Sequence, residues 1–304
     1  MDKLIKVADG FHFLEGPRWH ENKLWFSDMH GYKVHNLDAD GNLSTLAEIP
    51  EQPSGLGWLP DGSLIIVSML DRKLMKLKDG ELSIHADMSD LTPYQCNDMV
   101  IAKDGTAYVG NFGTDSVESK IHKTCLISVT QEGETKICAD GLLFPNGTVI
   151  SPDGKELIVG ETFGGNLTSF QINESGELSH RTIWARVMPL HFKIITSIIR
   201  FLNIPLKESN STPFPVPDGI CLDSDNGIWV ASPTTAEVIR YKKGGKITDR
   251  IATPQPAYAC MLGGKDEKEL YILTAESSNP QFCKENKTGE IYKVEVDYER
   301  AGEP

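Results

Sequence analysis

Cysteine pairs, basic clusters and long apolar runs are scarce in this 304-residue sequence. Its six cysteines lie far apart and include no Cys-x-x-Cys pair, which argues against a structural zinc site and a dense disulfide framework. Lys and Arg number 30 against 43 Asp and Glu, with no basic run that could track a phosphate backbone. No apolar stretch approaches the roughly 20 residues that span a bilayer. These absences predict reduced thiols and neither a nucleic-acid nor a membrane partner.

The composition also bears on location and on ligands. The first nine residues are too charged to serve as a secretion signal, so we expect a cytoplasmic protein. The formal net charge of −13 favours the attraction of cations over that of polyanions.

A recurring turn-and-strand unit is what the sequence has in abundance. Each unit opens on a short motif, continues through a polar turn such as Asp153-Gly154, and then enters a β-branched or aromatic strand. Most units begin about forty residues apart, which together with four strands per unit is typical of β-propeller blades. The sequence therefore predicts an all-β, six-bladed β-propeller with four-stranded antiparallel blades. The six opening positions are Glu15, Ser54, Asn97, Asn146, Asp218 and Ala259.

The two ends of the chain predict how the ring closes. The sixth unit supplies three strands, and an unused strand over residues 4–8 precedes the first unit. Pairing that N-terminal strand into the last blade removes both free edges. We therefore expect residues 1–304 to form a single closed domain.

One insertion interrupts the repeat. Residues 186–213 separate the fourth unit from the fifth, and apolar residues within 190–202 follow a helical period between Pro189 and Pro205. The sequence thus predicts one helix, directly before Asp218. A lid over the site, a packing or oligomer contact and a membrane-surface contact are its three interpretations, and the oligomeric state stays open.

The opening positions carry the chemistry of this prediction. In a propeller the innermost strand of each blade begins beside the central channel, so these positions converge there. Two carboxylates, two amides and a hydroxyl form an oxygen-rich set, which suits hard cations such as Ca²⁺ or Mg²⁺. The set contains no His or Cys, which argues against a tetrahedral zinc-type site. The alternative is that Asn, Asp and Gly serve here only as turn residues.

Several of these segments resemble one family. Leu14-Glu15-Gly16-Pro17, Cys96-Asn97-Asp98, Pro145-Asn146-Gly147 and Pro217-Asp218-Gly219 are together similar to the SMP-30/gluconolactonase/luciferin-regenerating-enzyme family of six-bladed propellers. The resemblance covers essentially every blade. It implies a lactonase with one divalent cation at the top of the channel, most favourably Ca²⁺, with Mg²⁺, Mn²⁺ or Zn²⁺ as alternatives.

Site residues follow from the resemblance position by position. It implies that Glu15, Asn146 and Asp218 ligate the cation, and that Asn97 is a further ligand or a substrate contact. Asp218 is also expected to act as the catalytic base or to orient the attacking water. A cation that polarises an ester carbonyl beside a carboxylate able to take a proton is consistent with hydrolysis.

Substrate contacts are expected on the loops between the second and third strands, which open on the same face. They include Asn111 and Glu161, and Asp115 stands where the gluconolactonase branch has a sugar-contacting acid. That branch also has an arginine where this chain has Gln95, which favours lactones in general over sugar lactones. The leading hypothesis is a metal-dependent hydrolase acting on a small-molecule lactone or related cyclic ester. The other hypothesis is a catalytically silent, Ca²⁺-binding propeller that binds a ligand or protein.

Overall fold

The computed structural model describes residues 3–114, 120–189 and 214–304, and these residues form six four-stranded antiparallel sheets. Each sheet is one blade. In five blades the four strands follow one another in the chain, each paired with the next. These sheets confirm the predicted six-bladed β-propeller. Polar turns alternate with β-branched strands along the chain, as antiparallel neighbours in a blade require.

The first three blades have the following strands. The first contains β2 (Leu14–His20), β3 (Lys23–Asp28), β4 (Lys33–Asp38) and β5 (Leu43–Glu48). The second contains β6 (Pro53–Trp58), β7 (Leu64–Ser68), β8 (Lys73–Lys78) and β9 (Glu81–Asp87). The third contains β10 (Cys96–Ile101), β11 (Ala107–Asn111), β12 (Thr124–Val129) and β13 (Thr135–Leu142).

The other three blades complete the ring. The fourth contains β14 (Pro145–Ile150), β15 (Glu156–Glu161), β16 (Asn166–Ile172) and β17 (Leu178–Arg186). The fifth contains β18 (Ile220–Leu222), β19 (Gly227–Ser232), β20 (Glu237–Lys242) and β21 (Ile247–Ala252). The sixth contains β22 (Ala257–Gly263), β23 (Glu269–Thr274), β24 (Gly289–Glu295) and the N-terminal β1 (Ile5–Phe11).

The N-terminal strand closes the ring as predicted. β1 pairs antiparallel with β24, from Ile5 opposite Lys293 to Phe11 opposite Gly289. A surface ion pair adds to the seam, with Lys6 Nζ 2.6 Å from Glu290 Oε1. The sixth blade therefore contains strands from both ends of the chain, which closes the ring.

The apolar core lies between neighbouring blades. The second strands β7 and β19 are buried along their whole length, because a blade covers each of their faces. The outermost strands β9 and β21 are largely exposed, with Ile84 the extreme case at 60%. Burial thus increases toward the central channel. Residues at the channel ends of the innermost strands therefore lie in a closely packed, buried part of the fold.

The helix predicted at 190–202 lies outside the described residues. The structure shows instead a short helix, Pro280–Glu285, which the sequence did not predict. Its cap is Asn279, whose side chain accepts a hydrogen bond from the Phe282 amide at 3.0 Å. Six residues are too few to show a helical period, so the sequence pattern could not predict this helix. Within the described ranges, no helix has the length and apolarity needed to cross a membrane.

Candidate functional site

The opening positions stand at irregularities of the innermost strands. The pairing register shifts between Glu15 and Arg18, between Cys96 and Met99, and between Pro145 and Thr148. A bulge of this kind leaves an extra residue unpaired and redirects its side chain. The same device therefore recurs at the start of successive blades.

A chain of hydrogen bonds joins four of these positions across four blades. Ser54 Oγ donates to Asn97 Oδ1 at 3.1 Å, and Asn97 Nδ2 donates to Asn146 Oδ1 at 3.0 Å. Asn146 Nδ2 in turn donates to Asp218 Oδ1 at 2.6 Å. All four side chains are buried. We refer to Glu15, Ser54, Asn97, Asn146 and Asp218 as the oxygen ring.

Glu15 completes the ring electrostatically. Burial, followed by the charges of Asp218 and Asp98, raises the pKa of Glu15 well above its ordinary value. Burial likewise raises the pKa of Asp218 to about 7, and the charge of Asp98 contributes to that increase. Carboxylates influence one another in this way only when they lie close together in a poorly solvated space. The ring therefore concentrates negative charge at one buried place.

The sixth blade differs from the sequence prediction by one residue. The register shift in this blade lies between Ala257 and Ala259, so Tyr258 occupies the opening position that we had assigned to Ala259. Ala259 instead corresponds to the glycine that follows each opening residue, since a Cβ on Gly219 would lie 2.7 Å from its Cα. The prediction was wrong because no glycine marks this turn in the sequence.

The donor chemistry of the oxygen ring fits a hard divalent cation. Among residues that the structure describes, no three His, Cys, Asp or Glu side chains form a group able to hold a metal. The ring offers two carboxylates together with amide and hydroxyl oxygens, the ligand types that Ca²⁺ and Mg²⁺ take. Both carboxylates are buried, Glu15 at 5% and Asp218 at 8% exposure, and within the described parts of the chain no cationic side chain bonds to either. A bound cation would supply the missing positive charge.

The residues predicted as substrate contacts have varied surroundings. Asn111 Nδ2 donates to Cys125 O at 2.9 Å, and Glu161 accepts from the Leu143 amide at 2.8 Å, so both side chains already bond to other groups of the protein. Gln95 is half-buried, and its carbonyl accepts from the Phe112 amide at 3.0 Å. Asp115 lies outside the described residues. Their roles toward substrate stay predictions.

An aromatic group borders the ring on the same face. Phe112 stacks on Phe144 with ring centroids 4.4 Å apart, and Phe163 lies 5.3 Å from Phe144. The neighbouring Thr162 Oγ1 accepts from Asn146 Nδ2 at 3.2 Å. Two loops on which substrate contacts are expected thus contribute Phe112 and Phe163, and these rings group with Phe144, which lies two residues before Asn146.

The histidines of the first blade do not join the ring. His30 is buried, and its Nδ1 lies 3.1 Å from Gln52 Nε2. His12 Nδ1 lies 2.8 Å from Cys283 O. Burial lowers the pKa of His30 to about 4, and the positive charge of Lys284 contributes. His30 is therefore neutral at physiological pH.

This depressed pKa predicts an acid-sensitive fold. In the unfolded chain the histidine has a pKa near 6.5 and is protonated below that pH, whereas His30 in the folded protein is protonated only below about pH 4. The contribution of His30 to the free energy of unfolding is therefore fully present above about pH 6.5. It falls with decreasing pH, by about 2 kcal/mol at pH 5. Urea unfolding of His30→Gln should show a correspondingly flatter loss between pH 7.5 and pH 5. His180→Gln, at an exposed position, is the control, and an unchanged His30→Gln pH profile would refute the assignment.

Comparison with known proteins agrees with this architecture. Pentonolactonase XacC from Haloferax volcanii is 24% identical over 266 residues, covering 86% of this chain and 81% of XacC. The crystal structure of the calcium-binding protein regucalcin from Agrobacterium tumefaciens superposes with a TM-score of 0.77 at 18% identity, covering 100% of this chain and 97% of regucalcin. A gluconolactonase from Xanthomonas campestris gives a TM-score of 0.72 at 21% identity, with 97% and 90% coverage.

A family profile covers most of the propeller. The profile described as SMP-30/Gluconolactonase/LRE-like region matches residues 13–276, from just before Glu15 to just beyond β23. The match includes every residue of the oxygen ring. The chain belongs to the SMP-30/gluconolactonase/LRE-like family.

Proposed function

We propose that this protein is a divalent-metal-dependent hydrolase that opens a small-molecule lactone or a related cyclic ester. The buried oxygen ring is the observation that carries the proposal. The hydrogen-bonded side chains of the ring come from blades two to five, and Glu15 adds a carboxylate from blade one. Burying two carboxylates without a counter-charge is unfavourable, so a positively charged ligand is the favoured occupant of this site.

Glu15, Asn146 and Asp218 would hold the cation, and Asn97 would be a further ligand or a contact to substrate. When bound, a divalent cation there would polarise the ester carbonyl and favour ionisation of a nearby water. Asn97 and Asn146 are oriented by each other and by Ser54 and Thr162. Little reorganisation of these side chains is therefore needed when ligands arrive.

Asp218 is the proposed base. Its Oδ1 accepts from Asn146 Nδ2, and its other oxygen, Oδ2, would take the proton from the attacking water. The backbone holds the residue on both sides, because Asp218 N donates to Ala231 O at 3.0 Å and Gly219 N to Tyr258 O at 2.8 Å. The carboxylate is thus fixed between the fifth and sixth blades.

The names of the relatives support the substrate class. Both the Haloferax pentonolactonase and the Xanthomonas gluconolactonase are named for lactones. We propose that the aromatic group of Phe112, Phe144 and Phe163 forms an apolar wall for the lactone ring, with polar contacts from Gln95, Asn97, Asn111, Asp115 and Glu161.

A panel of aldono-, alkyl- and aryl-lactones tests the proposal. Protein loaded with Ca²⁺ or Mg²⁺ should hydrolyse at least one class, and EDTA should remove the activity. Added cation should also raise the melting temperature by mass action. A cation-dependent melt without hydrolysis of any lactone would instead favour a calcium-binding protein without catalysis. The likeness to calcium-binding regucalcin is what favours that second candidate.

Cation binding should depend on pH. Since Asp218 has a pKa of about 7 and that of Glu15 is also raised, both carboxylates must release protons before they can bind a cation. The apparent Ca²⁺ affinity should therefore fall about tenfold or more between pH 8 and pH 6. Titration calorimetry in two buffers of different ionisation enthalpy measures the protons released. A pH-independent affinity with no proton release would contradict this assignment.

A further inference from the structure

A buried ion pair lies next to the oxygen ring, since its acidic member Asp98 directly follows Asn97 in the chain. Arg18 Nη2 donates to Asp98 Oδ1 at 2.7 Å, and the two side chains are 4% and 7% exposed. Arg18 also donates from Nε to Leu56 O and from Nη1 to Pro17 O, both at 2.8 Å. The guanidinium is thus fixed by the innermost strands of three consecutive blades.

Asp98 is unusual among residues that follow the opening positions. The equivalent residue in the other blades is small: Gly16, Gly55, Gly147, Gly219 and Ala259. A Cβ on Gly55 would stand 2.9 Å from Asp98 Oδ1, so the carboxylate occupies room that this glycine leaves. The amide of Met99 donates to the same oxygen at 2.8 Å. The side chain is therefore held in one orientation.

The field of Asp98 reaches the ring above it. Its carboxylate lies beside two ring positions, because Asp98 directly follows Asn97 and its Oδ1 would lie 2.9 Å from a Cβ on Gly55, the residue after Ser54. On the other side, Arg18 lines a cavity of about 270 Å³ together with Trp58. The pair therefore stands between the oxygen ring and this lower cavity.

We propose that Arg18 and Asp98 are a positioning pair that closes the channel below the cation site, and that the charge of Asp98 strengthens cation binding without ligating the cation. Arg18 keeps Asp98 oriented, and Asp98 lies on the ring side of the pair, because Arg18 is the partner that lines the lower cavity. The inference rests on the proposed metal-dependent function, because it assigns a purpose to the pair only if a cation binds in the ring.

Calorimetric titration with CaCl₂ tests this role. Asp98→Asn preserves the acceptor oxygen for Arg18 and for the Met99 amide, and removes only the charge. We expect the Ca²⁺ affinity to fall about 10- to 100-fold, as is usual when a residue that supports metal ligands is changed. The double variant Arg18→Met/Asp98→Asn should bind more tightly than Asp98→Asn and more weakly than the wild type, because it also removes the repelling guanidinium.

Another buried ion pair, between Asp223 and Arg240, supplies a matched control. Asp223 lies 2.6 Å from Arg240 and is fully buried, but it is at the other end of the fifth-blade inner strand from Asp218. Asp223→Asn should lower the melting temperature and leave the Ca²⁺ affinity within about twofold of the wild type, since screening and distance weaken its influence.

The outcomes separate the two proposals. Unchanged affinity in Asp98→Asn overturns the positioning role and leaves the cation site standing, whereas a wild type that binds no Ca²⁺ overturns both. A double variant that binds more weakly than Asp98→Asn indicates a purely structural role and also overturns the inference. If Asp98→Asn does not fold, the double variant, which buries no unpaired charge, is compared with the wild type, and equal affinity is the contradicting result.

Discussion

Replacing Asp218 by Asn should lower kcat for lactone hydrolysis by about 10²- to 10⁴-fold, the usual contribution of a positioned general base. Asparagine has nearly the same shape and retains an oxygen that can accept the 2.6 Å hydrogen bond from Asn146 Nδ2. It carries no charge and cannot take the proton of the attacking water. The Ca²⁺ affinity should fall as well, because one of the two ring carboxylates is lost.

The same substitution elsewhere in the blade is the control. Asp225 lies on the exposed turn of the fifth blade, with its side chain 56% exposed. Asp225→Asn should leave kcat and Ca²⁺ affinity unchanged. Steady-state kinetics at saturating cation, with circular dichroism to verify the fold, measures both variants. If Asp218→Asn retained more than about a tenth of wild-type kcat, Asp218 would not be the base.

The largest effect on stability is expected from Arg240→Met. Arg240 is completely buried and donates to both carboxylate oxygens of Asp223, at 2.6 and 3.0 Å. The guanidinium also lies 3.6 Å above the ring of Tyr298. Removing it leaves the fully buried Asp223 carboxylate without its cation, which costs about 3–5 kcal/mol. Urea unfolding followed by tryptophan fluorescence measures this loss.

Two further variants distinguish an unpaired charge from lost packing. Arg240→Met/Asp223→Asn should be more stable than Arg240→Met, because asparagine can still cap the turn through the amides of Asp225 and Gly227 without a buried charge. Arg250→Met removes an ion pair in which Arg250 Nη1 donates to both carboxylate oxygens of Glu237, but Arg250 is 47% exposed. Its loss should cost less than about 1 kcal/mol. Equal losses for Arg240→Met and Arg250→Met would refute the argument from burial.

Much of the architecture could be predicted from the sequence because a propeller repeats one local rule. Each blade needs its own turn residues and its own β-branched strands, so the pattern is repeated six times and single errors do not change the fold. The error at Ala259 shows the limit of this redundancy. In the sixth blade Tyr258 occupies the opening position, and only the strand register reveals the shift by one residue.

The sequence by itself determined the blade number, the closure by the N-terminal strand and the recurrence of oxygen-bearing residues at one phase of the repeat, because these follow from local spacing. Only the tertiary structure decided which of these residues touch. The bond from Asn146 to Asp218 joins residues that are 72 positions apart, and Arg18 reaches Asp98 across 80. Such contacts depend on how blades pack around the channel, and close packing of glycines such as Gly55 against the next blade sets that geometry.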